Sequence, residues 1–424
     1  MNQRILAYYF PQYHSIPEND EVFGQGFTDW ELFKQKSSED LVEFKHPIDP
    51  PEGLGYYDPT EHYIREKQAK LAKKYGIDGF IYYHYWLENK PVMGTVVEAI
   101  LEDNEPDIPF CLCFANESWK HNYGGTTFKS FHPDGATYRQ LYNNPKEHAQ
   151  YLAKILAHPN YIRINDIPIL FVYKFGPEVS TYLDSIRSEL GYPLYIIACT
   201  STYCLRHYTD QVIPDAYAPF DVHHTIHPNQ VPLPNPLKGL PCVYGVSTGW
   251  NNTLRHPAEG TIIHYTPDIF VQKLYSKLIT MKYDIHSLQI LSVFAWNEWA
   301  EGAMLEPNSV YGEELGMAVS RAKNTAEIIH SNIFIKNIVF EYGLGKDFID
   351  ITKIIYTQCV NVNKSQSNIW ITVEKCDYAR ARLFGDPLPG IVKVIRIRFN
   401  GNEILCNSDN DMNLEIDSST VTNW

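Results

Sequence analysis

The sequence lacks the motifs that identify several large classes of enzyme and membrane protein. Its 424 residues contain no P-loop and no glycine-rich dinucleotide fingerprint, which argues against kinase and dehydrogenase chemistry. No apolar run approaches the ~18 residues of a membrane-spanning helix. The first residues lack the apolar core and cleavage site of a signal peptide. We therefore expect a cytoplasmic protein without a membrane span and without a cofactor.

Cysteine is present, but it is not arranged for disulfides or zinc. The eight cysteines include no CxxC pair, and several lie inside apolar runs, so we predict buried free thiols in a reducing compartment. The segment DVHHTIH places His223, His224 and His227 after Asp221. Close histidines can bind zinc, but this segment is rich in proline and has no helical HExxH context. We interpret it as a polar loop and predict no metal site.

Positive charge is scarce relative to negative charge. The formal net charge is −14, which makes nucleic acid and anionic membrane poor partners. Aromatic residues make up 14% of the chain, with 30 Tyr and 8 Trp. Aromatic side chains fill any large core, but a surplus of Tyr and Trp also suits a carbohydrate-binding site.

Eight short apolar runs, mostly alternating with amphipathic helices, organise residues 1–331. The runs cover residues 4–10, 79–83, 109–114, 168–173, 194–199, 216–219, 242–246 and 290–295. Continuous hydrophobicity indicates parallel strands that are buried on both faces. This order predicts a (β/α)8 TIM barrel with long loops after the first and third strands. A doubly wound open sheet is the alternative, but polar and aromatic clusters follow many strands, which favours the barrel.

The pattern changes after residue 331. Residues 391–399 alternate apolar and charged side chains, and Asn400-Gly401 indicates a hairpin turn. We predict that residues 332–424 form a small all-β, sandwich-like domain. Its role is open, with a solvated accessory domain and a carbohydrate- or partner-binding module as the two interpretations.

The stretch most suggestive of chemistry is WNEWAEG, which follows the eighth apolar run. Glu298 and Glu301 lie three residues apart, and Trp296 and Trp299 lie beside them. An ExxE pair is common on helices as a solvated feature. Here it follows a buried strand, where barrel enzymes carry their chemistry. Two carboxylates flanked by indoles suit glycosidic-bond cleavage, which needs an acid, a base and flat apolar surfaces.

Other predicted strand ends supply candidate substrate-binding residues. Polar and aromatic side chains cluster there, and any single one of them can equally well be part of the core. The candidates are Tyr8, Tyr83, His84, Trp86, Asn116, Glu117, Trp119, Trp250, Trp296, Asn297, Trp299 and Glu306. We expect them to bind an oligosaccharide or polysaccharide.

Several motifs, in order, resemble those of a known family. They are AYYFPQYH (7–14), IPEND (16–20), GFTDW (26–30), YGIDGF (75–80), YHYW (83–86), FANE (114–117) and WNEWAEG (296–302). Together they closely resemble the WbsX-like proteins, also called glycoside hydrolase family 99-like, many of which are linked to lipopolysaccharide and O-antigen biosynthesis. The resemblance covers about residues 1–330.

The resemblance implies specific catalytic roles. Family 99 enzymes are retaining endo-α-mannosidases with a (β/α)8 barrel and a Glu-x-x-Glu segment after the last strand. By resemblance, Glu298 is the base that assists the sugar's own 2-hydroxyl, and Glu301 is the acid/base. Ala300 stands where the mannosidases commonly have His, which leaves the sugar open.

We therefore expect a retaining glycoside hydrolase or transglycosylase that acts on a glycan. The alternatives are a glycosyltransferase of surface-polysaccharide biosynthesis and a non-catalytic carbohydrate-binding protein. The sequence does not predict the oligomeric state.

Overall fold

A closed barrel of eight parallel strands forms the N-terminal part of the molecule. The computed structural model describes residues 3–36, 44–120, 122–123, 126–127, 132, 134–200, 214–219, 239–257, 260–331, 337–362, 368–416 and 421–423. The barrel strands are β1 (Arg4–Tyr9), β2 (Gly79–Leu87), β3 (Phe110–Phe114), β4 (Ile167–Val172), β5 (Tyr195–Thr200), β6 (Ala216–Pro219), β7 (Cys242–Ser247) and β8 (Ser287–Phe294).

The barrel closes between its first and last strands. In β1, Leu6 is in register with Ser292 of β8 on one side and with Gly79 of β2 on the other, and both pairings are parallel. The remaining strands pair in chain order around the ring. Every residue of β3 is buried, which explains why these strands appear as unbroken apolar runs in the sequence. The predicted (β/α)8 barrel is confirmed, and its eight strands end on the same rim.

Helices separate most of the barrel strands, as predicted. They are α1 (Pro17–Phe23), α2 (Glu31–Lys34), α3 (His62–Tyr75), α4 (Thr95–Asp103), α5 (Pro145–Leu156), α6 (Pro177–Leu190), α7 (Pro267–Tyr283) and α8 (Glu314–Ser331). Helix α3 ends at Gly76, whose left-handed φ of 82° is readily adopted by glycine. Among the helices of the described residues, none has the length and apolar content needed to cross a bilayer.

The segment between β1 and α3 differs from the long loop that the sequence predicts after the first strand. It contains helices α1 and α2, which have only seven and four residues. Helices this short show too few turns for an apolar period to be recognised in the sequence. Pro17 at the first turn of α1 was the available signal, since proline is favoured there.

Short antiparallel strand pairings occur at the ends of barrel strands and in the segments that connect them. Lys90–Val92 pairs antiparallel with the end of β2, and Arg163–Ile164 pairs with the start of β4. Trp250–Asn251 pairs with Ile262–Ile263, Asn297–Glu298 pairs with Ala303–Met304, and Asn122–Tyr123 pairs with Thr126–Thr127.

The chain divides into two compact units. One comprises Met1–Pro267 and Ile285–Met317, and the other comprises Asp268–Asp284 and Ala318–Trp424. The second unit therefore includes most of α7 and α8 as well as the C-terminal region. The boundary predicted after residue 331 stays a prediction.

The second unit contains two antiparallel sheets. Its strands are β9 (Val339–Leu344), β10 (Asp347–Asp350), β11 (Ile369–Val373), β12 (Val394–Phe399), β13 (Asn402–Cys406), β14 (Met412–Ile416) and β15 (Val421–Asn423). The sheets have the orders β10-β9-β12-β13 and β11-β14-β15. The Asn400-Gly401 hairpin is present, with both residues at positive φ. The region also contains α9 (Thr352–Ile354), a π-helical turn (Ile355–Cys359) and α10 (Asp377–Phe384), which the alternating pattern did not predict.

Candidate active site

A tight turn follows β8 and carries the two glutamates. Asn297–Glu298 pairs with Ala303–Met304 around a 3-10 turn, Trp299–Glu301. Gly302 closes the turn at a φ of 63°. A Cβ atom at Gly302 would lie 2.9 Å from the Cβ of Asn251 and 3.0 Å from its backbone nitrogen. Close packing against Asn251 and a left-handed backbone therefore both require glycine at this position.

The turn faces a large cavity on the rim where the strands end. The cavity has a volume of about 920 Å³, which is ample for more than one sugar unit. Both Glu298 and Glu301 line it. Its other wall residues come mainly from the segments after β1, β2, β3, β4 and β7: Phe10, Gln12, Asn19, Tyr83, Tyr85, Ala115, Asn116, Glu117, Ser118, Trp119, Lys120, Gln140, Tyr142, Tyr173, Lys174, Trp250, Arg255, His256 and Phe294.

Arg255 joins the two glutamates to a third acid. Its Nη1 donates to Glu301 Oε1 at 2.7 Å, and its Nη2 donates to Asp29 Oδ2 at 2.8 Å. The same Nη2 lies 3.9 Å from Glu298 Oε2. Asp29 is fully buried, and the side chains of Arg255 and Glu301 are each 18% exposed. One partly buried cation therefore serves three carboxylates.

The surroundings of Glu298 and Glu301 affect the pKa values of the two carboxyl groups differently. Burial raises the pKa of the Glu298 carboxyl well above its usual range; the charge of Glu301 raises it further, while Arg255 lowers it. Burial also raises the pKa of Glu301, against the charge and hydrogen bond of Arg255. Glu298 Oε2 is buried without a hydrogen-bond partner among the described residues. Protonation is therefore favoured on Glu298, whereas the contact with Arg255 favours the ionised form of Glu301.

Residues that follow β1 hold the glutamate turn in place through hydrogen bonds. Asn297 accepts from the backbone N–H of Phe10 at 2.8 Å and donates to its carbonyl at 3.0 Å. The hydroxyl of Tyr13 donates to the carbonyl of Asn297 at 2.6 Å and accepts from the N–H of Trp299 at 3.2 Å. The Tyr13 ring stacks on Trp30, with 4.1 Å between centroids. The first and last strands are thus joined where the carboxylates emerge.

The structure brings half of the predicted site residues into one cavity wall. With Glu298 and Glu301, the wall includes Tyr83, Asn116, Glu117, Trp119 and Trp250. The Asn116 amide is already bonded to the backbone of Lys174 on both of its atoms, at 2.8 and 2.7 Å. Glu117 forms an ion pair with Lys174. Substrate contact by these residues stays a prediction.

Seven other predicted residues are not among those that line this cavity, and substrate contact by them stays a prediction. Tyr8, His84, Trp86, Trp296, Asn297, Trp299 and Glu306 are all buried and do not line the cavity. Trp296 packs edge-on against Phe80, and Tyr8 stacks on Tyr83. The sequence places an indole or phenol next to the site but does not show which side of the strand it occupies.

His84 and Trp86 belong to an interior cluster at the end of β2. The two imidazoles of His84 and His148 are linked between their Nε2 atoms at 2.8 Å, and Trp86 stacks on His148 at 4.3 Å. Burial lowers the pKa of His84 to about 3 and that of His148 well below its usual range, so both rings are neutral near pH 7. One ring donates and the other accepts, and the cluster supports the wall.

Glu306 holds Trp299 in place through a hydrogen bond to its indole. Its carboxylate accepts from Trp299 Nε1 at 2.8 Å, from the Tyr57 hydroxyl at 2.8 Å and from Gln68 Nε2 at 2.7 Å. Burial nevertheless raises the pKa of Glu306 to about 7. The residue positions the turn and does not face the cavity.

Sequence reasoning missed Arg255 and Asn19. Arg255 is separated by 226 residues from Asp29 and by 46 from Glu301, so no local motif connects them. Its proximity to Trp250 at the end of β7 was the only available signal. Asn19 lies in α1, within the segment interpreted as a loop.

The structure offers no cluster of His, Cys, Asp and Glu that could hold a metal ion within the described residues. The DVHHTIH segment lies outside the described residues.

Comparison with protein families finds one match that covers most of the barrel. The model of the family described as Glycosyltransferase WbsX matches residues 5–191 and 220–317, which is more than half of the chain.

Curated relatives are longer than this chain. The uncharacterized protein WxcX of Xanthomonas campestris pv. campestris strain B100 is 27% identical over 377 residues, covering 77% of this chain and 51% of the relative. WxcX of strain ATCC 33913 gives the same values. The chain thus spans about half the length of the curated relatives it matches.

Similar solved structures include a GH99 endo-alpha-mannosidase from Bacteroides thetaiotaomicron in complex with bis-tris-propane. It is 14% identical, with a TM-score of 0.49, and the match covers 78% of this chain and 99% of that one. A glycoside hydrolase-like protein is 13% identical, with a TM-score of 0.49, and covers 76% and 94% of the respective chains.

Proposed function

Because this chain belongs to the family described as Glycosyltransferase WbsX, we propose that it is a carbohydrate-active enzyme that cleaves or transfers glycosidic bonds with Glu298 and Glu301. The substrate is an oligosaccharide or polysaccharide that occupies the cavity at the end of the barrel. Retaining hydrolysis or transglycosylation is the reaction that we favour.

The carboxylate pair with its shared arginine is the observation that carries the proposal. Cleavage of a glycosidic bond needs one carboxyl group that is protonated and another that is ionised at the same pH. Burial and mutual repulsion favour a single proton on this pair, and Arg255 stabilises the remaining charge. A structural ion pair would instead have both glutamates fully satisfied, whereas Glu298 Oε2 has no hydrogen-bond partner among the described residues.

Substrate binding favours transfer of the shared proton from Glu298 to Glu301. A sugar hydroxyl that donates to Glu298 Oε2 stabilises the ionised form of Glu298. The proton then passes to Glu301, because the two groups titrate as one coupled unit. The substrate-bound site thereby reaches the roles that the family resemblance implies, with Glu298 as base and Glu301 as acid.

The bond changes that follow are those of neighbouring-group participation. Glu298 removes the proton of the 2-hydroxyl, and that oxygen attacks the anomeric carbon. Glu301 protonates the departing glycosidic oxygen as its bond to the anomeric carbon breaks. Glu301 then removes a proton from water or an acceptor hydroxyl, and the oxygen of that group attacks the anomeric carbon. The bond from this carbon to O2 breaks, and Glu298 returns its proton to O2, which opens the 1,2-anhydro intermediate with net retention.

The second candidate is glycosyl transfer from an activated donor, which the family's description favours. The same cavity has room for an acceptor glycan. A nucleotide-sugar or lipid-linked donor would bring a phosphate leaving group, which departs without protonation by Glu301. The two candidates therefore differ in donor and in the need for an acid.

A cleavage screen tests the proposal. The protein is incubated with α-mannosides, rhamnans and O-antigen fragments, and products are separated chromatographically and assigned by NMR. We expect one of these glycans to be shortened, with the α-configuration retained in the first product. Cleavage of none of them, together with saturable nucleotide-sugar binding in calorimetry, would assign the site to glycosyl transfer.

A further inference from the structure

An unpartnered asparagine forms part of the cavity wall away from the glutamate turn. Asn19 lies in α1, is 0% exposed and lines the cavity. Neither Oδ1 nor Nδ2 of its amide has a hydrogen-bond partner among the described residues. A buried amide without partners destabilises the fold, so its presence calls for a ligand that satisfies it.

A second buried amide oxygen lies on an element connected to α1. Tyr138 links the two through its hydroxyl, which donates to Glu21 Oε2 at 2.8 Å. Two residues further on, Gln140 also lines the cavity, and its Oε1 is buried with no partner in the described part of the chain. The backbone N–H of Gln140 is fixed by Ser118 Oγ at 3.1 Å. The amides of Asn19 and Gln140 thus belong to one connected part of the wall.

This part of the wall is apolar and aromatic around the amides. Ile16, one turn before Asn19, packs in a small cluster with Leu87, Val92 and Met93, and Tyr85, Trp119 and Tyr138 pack against it. Tyr85 and Trp119 also line the cavity, with ring centroids 5.3 Å apart. A ligand group placed here meets amide groups and aromatic surface together.

The charged groups beside Asn19 in α1 are acidic, and Glu18 is paired with a cation. Glu18, which precedes it in α1, forms an ion pair with Lys90 at 2.6 Å. Glu21 on the same helix accepts the hydroxyl of Tyr138. The surroundings of Asn19 are therefore better matched to a neutral polar group than to a carboxylate or phosphate.

We propose that Asn19 and Gln140, with Tyr85 and Trp119, form a subsite that selects a sugar bearing an acetamido group. The acetamido C=O accepts from Asn19 Nδ2, and its N–H donates to Asn19 Oδ1 or Gln140 Oε1. The acetyl methyl group packs on the rings of Tyr85 and Trp119. This inference rests on the proposed function only in taking a glycan as the ligand, and it names a feature of that glycan.

The test measures binding, so that it is independent of catalysis. Two matched probe pairs are used: the methyl α-glycosides of glucose and N-acetylglucosamine, and those of mannose and N-acetylmannosamine. Saturation-transfer NMR titrations give dissociation constants for the wild type, Asn19→Leu and the control Asn143→Leu, which alters an exposed asparagine outside the cavity wall. Leucine approximates the shape of asparagine without its hydrogen bonds.

We expect at least one acetamido glycoside to bind the wild type about tenfold more tightly than its parent sugar, as two added hydrogen bonds provide. The acetyl methyl should receive the strongest saturation. Asn19→Leu should abolish the preference with an unchanged or higher Tm, because a costly unpaired amide is removed. Asn143→Leu should keep the preference.

Two results would overturn the subsite. One is equal binding of both members of each pair by the wild type. The other is a lower Tm of Asn19→Leu, which would make the amide structural. Acetamido selectivity with neither cleavage of any glycan nor binding of a nucleotide-sugar would instead refute the proposed function and leave the subsite standing.

Discussion

Arg255 is the residue on which the charge balance of the site depends. It contacts Asp29 and Glu301 directly and approaches Glu298. Without it, the two glutamates would lose the charge that lowers their pKa values against the effect of burial. Arg255 thus favours the ionised form of both glutamates.

Replacing Arg255 tests this role. Arg255→Met should lower kcat/KM by about 100-fold, the scale expected when a preorganised charged donor is removed. Because Arg255 lowers the pKa of both glutamates, its loss should move the acidic limb of the pH–rate profile to higher pH. Lys174→Met is the matched control, since Lys174 lines the same cavity but is paired with Glu117. An unshifted acidic limb in Arg255→Met would contradict the role.

The raised pKa of Glu306 predicts that this residue makes the stability of the protein depend on pH. Its pKa is raised from 4.5 to about 7 in the folded protein, so the folded state holds this proton more tightly than the unfolded state does. The associated stabilisation is present below pH 4.5 and is lost as the pH rises through 7, a change of about 3 kcal/mol. Glu306→Gln should therefore show a smaller fall in Tm between pH 5 and 8 than the wild type. Glu52→Gln, at an exposed position, should keep the wild-type dependence, and parallel curves for Glu306→Gln would refute the argument.

The sequence located the glutamates but not their electrostatic partner. Glu298 and Glu301 were predictable because they follow a buried strand directly. Arg255 was not, because barrel closure, rather than chain proximity, brings it to Asp29 and Glu301. Trp86, Trp296 and Trp299 were assigned to the site from their positions, yet indoles pack equally well in a core, and these three face inward.

At the scale of elements, the turn after β8 determines where the glutamates point. Gly302 ends the turn against Asn251, which follows β7. Its carbonyl accepts from Lys45 Nζ at 2.7 Å. The turn is thereby fixed by two other segments of the barrel rim.

Alanine substitutions at Gly302 and Gly312 distinguish the effect of backbone strain on activity from the effect of displacing the turn. Gly302 and Gly312 have similar φ angles of 63° and 53°, so alanine should cost each site about 1 kcal/mol. A Cβ at Gly302 meets Asn251 at 2.9 Å, whereas at Gly312 no heavy atom of the described residues lies within 4 Å. We expect Gly302→Ala to lose more than about tenfold in kcat, while Gly312→Ala stays close to the wild type. Equal activity of the two variants, measured at equal Tm, would show that the turn tolerates displacement.

The barrel strands were predictable because burial on both faces leaves a continuous apolar run. Seven of the predicted runs differ from the observed strands only at their ends, and residues 216–219 match β6. Helix α10 was missed because its eight residues, DYARARLF, bury only Arg380 and Phe384. Its polar sequence gives no apolar stripe for a periodicity argument.

At the scale of the whole molecule, the second compact unit includes helices that alternate with barrel strands in the sequence. Phe270, Leu274 and Tyr275 of α7 are fully buried. The hydroxyl of Tyr275 donates to the carbonyl of Tyr356 at 2.6 Å, within the same unit. We propose that α7 and α8 are stabilised together with the C-terminal sheets.

Truncation after residue 331 tests this proposal. A fragment of residues 1–331 keeps α7 and α8 but removes the sheets of their unit. We expect a lower Tm and loss of a single cooperative transition in circular dichroism, because buried apolar side chains become exposed. The full-length chain measured in parallel is the reference. A fragment with unchanged Tm would instead support an independent barrel domain that ends at residue 331.

The central claim is that Glu298 and Glu301 carry out glycosidic-bond chemistry in this cavity. The most direct measurement is the turnover of the first glycan that the wild type cleaves, compared among the wild type, Glu298→Gln and Glu301→Gln at matched Tm. We predict that each variant loses at least about 1,000-fold in kcat, since each removes an essential proton transfer. A variant of either residue that retains wild-type turnover would contradict the claim.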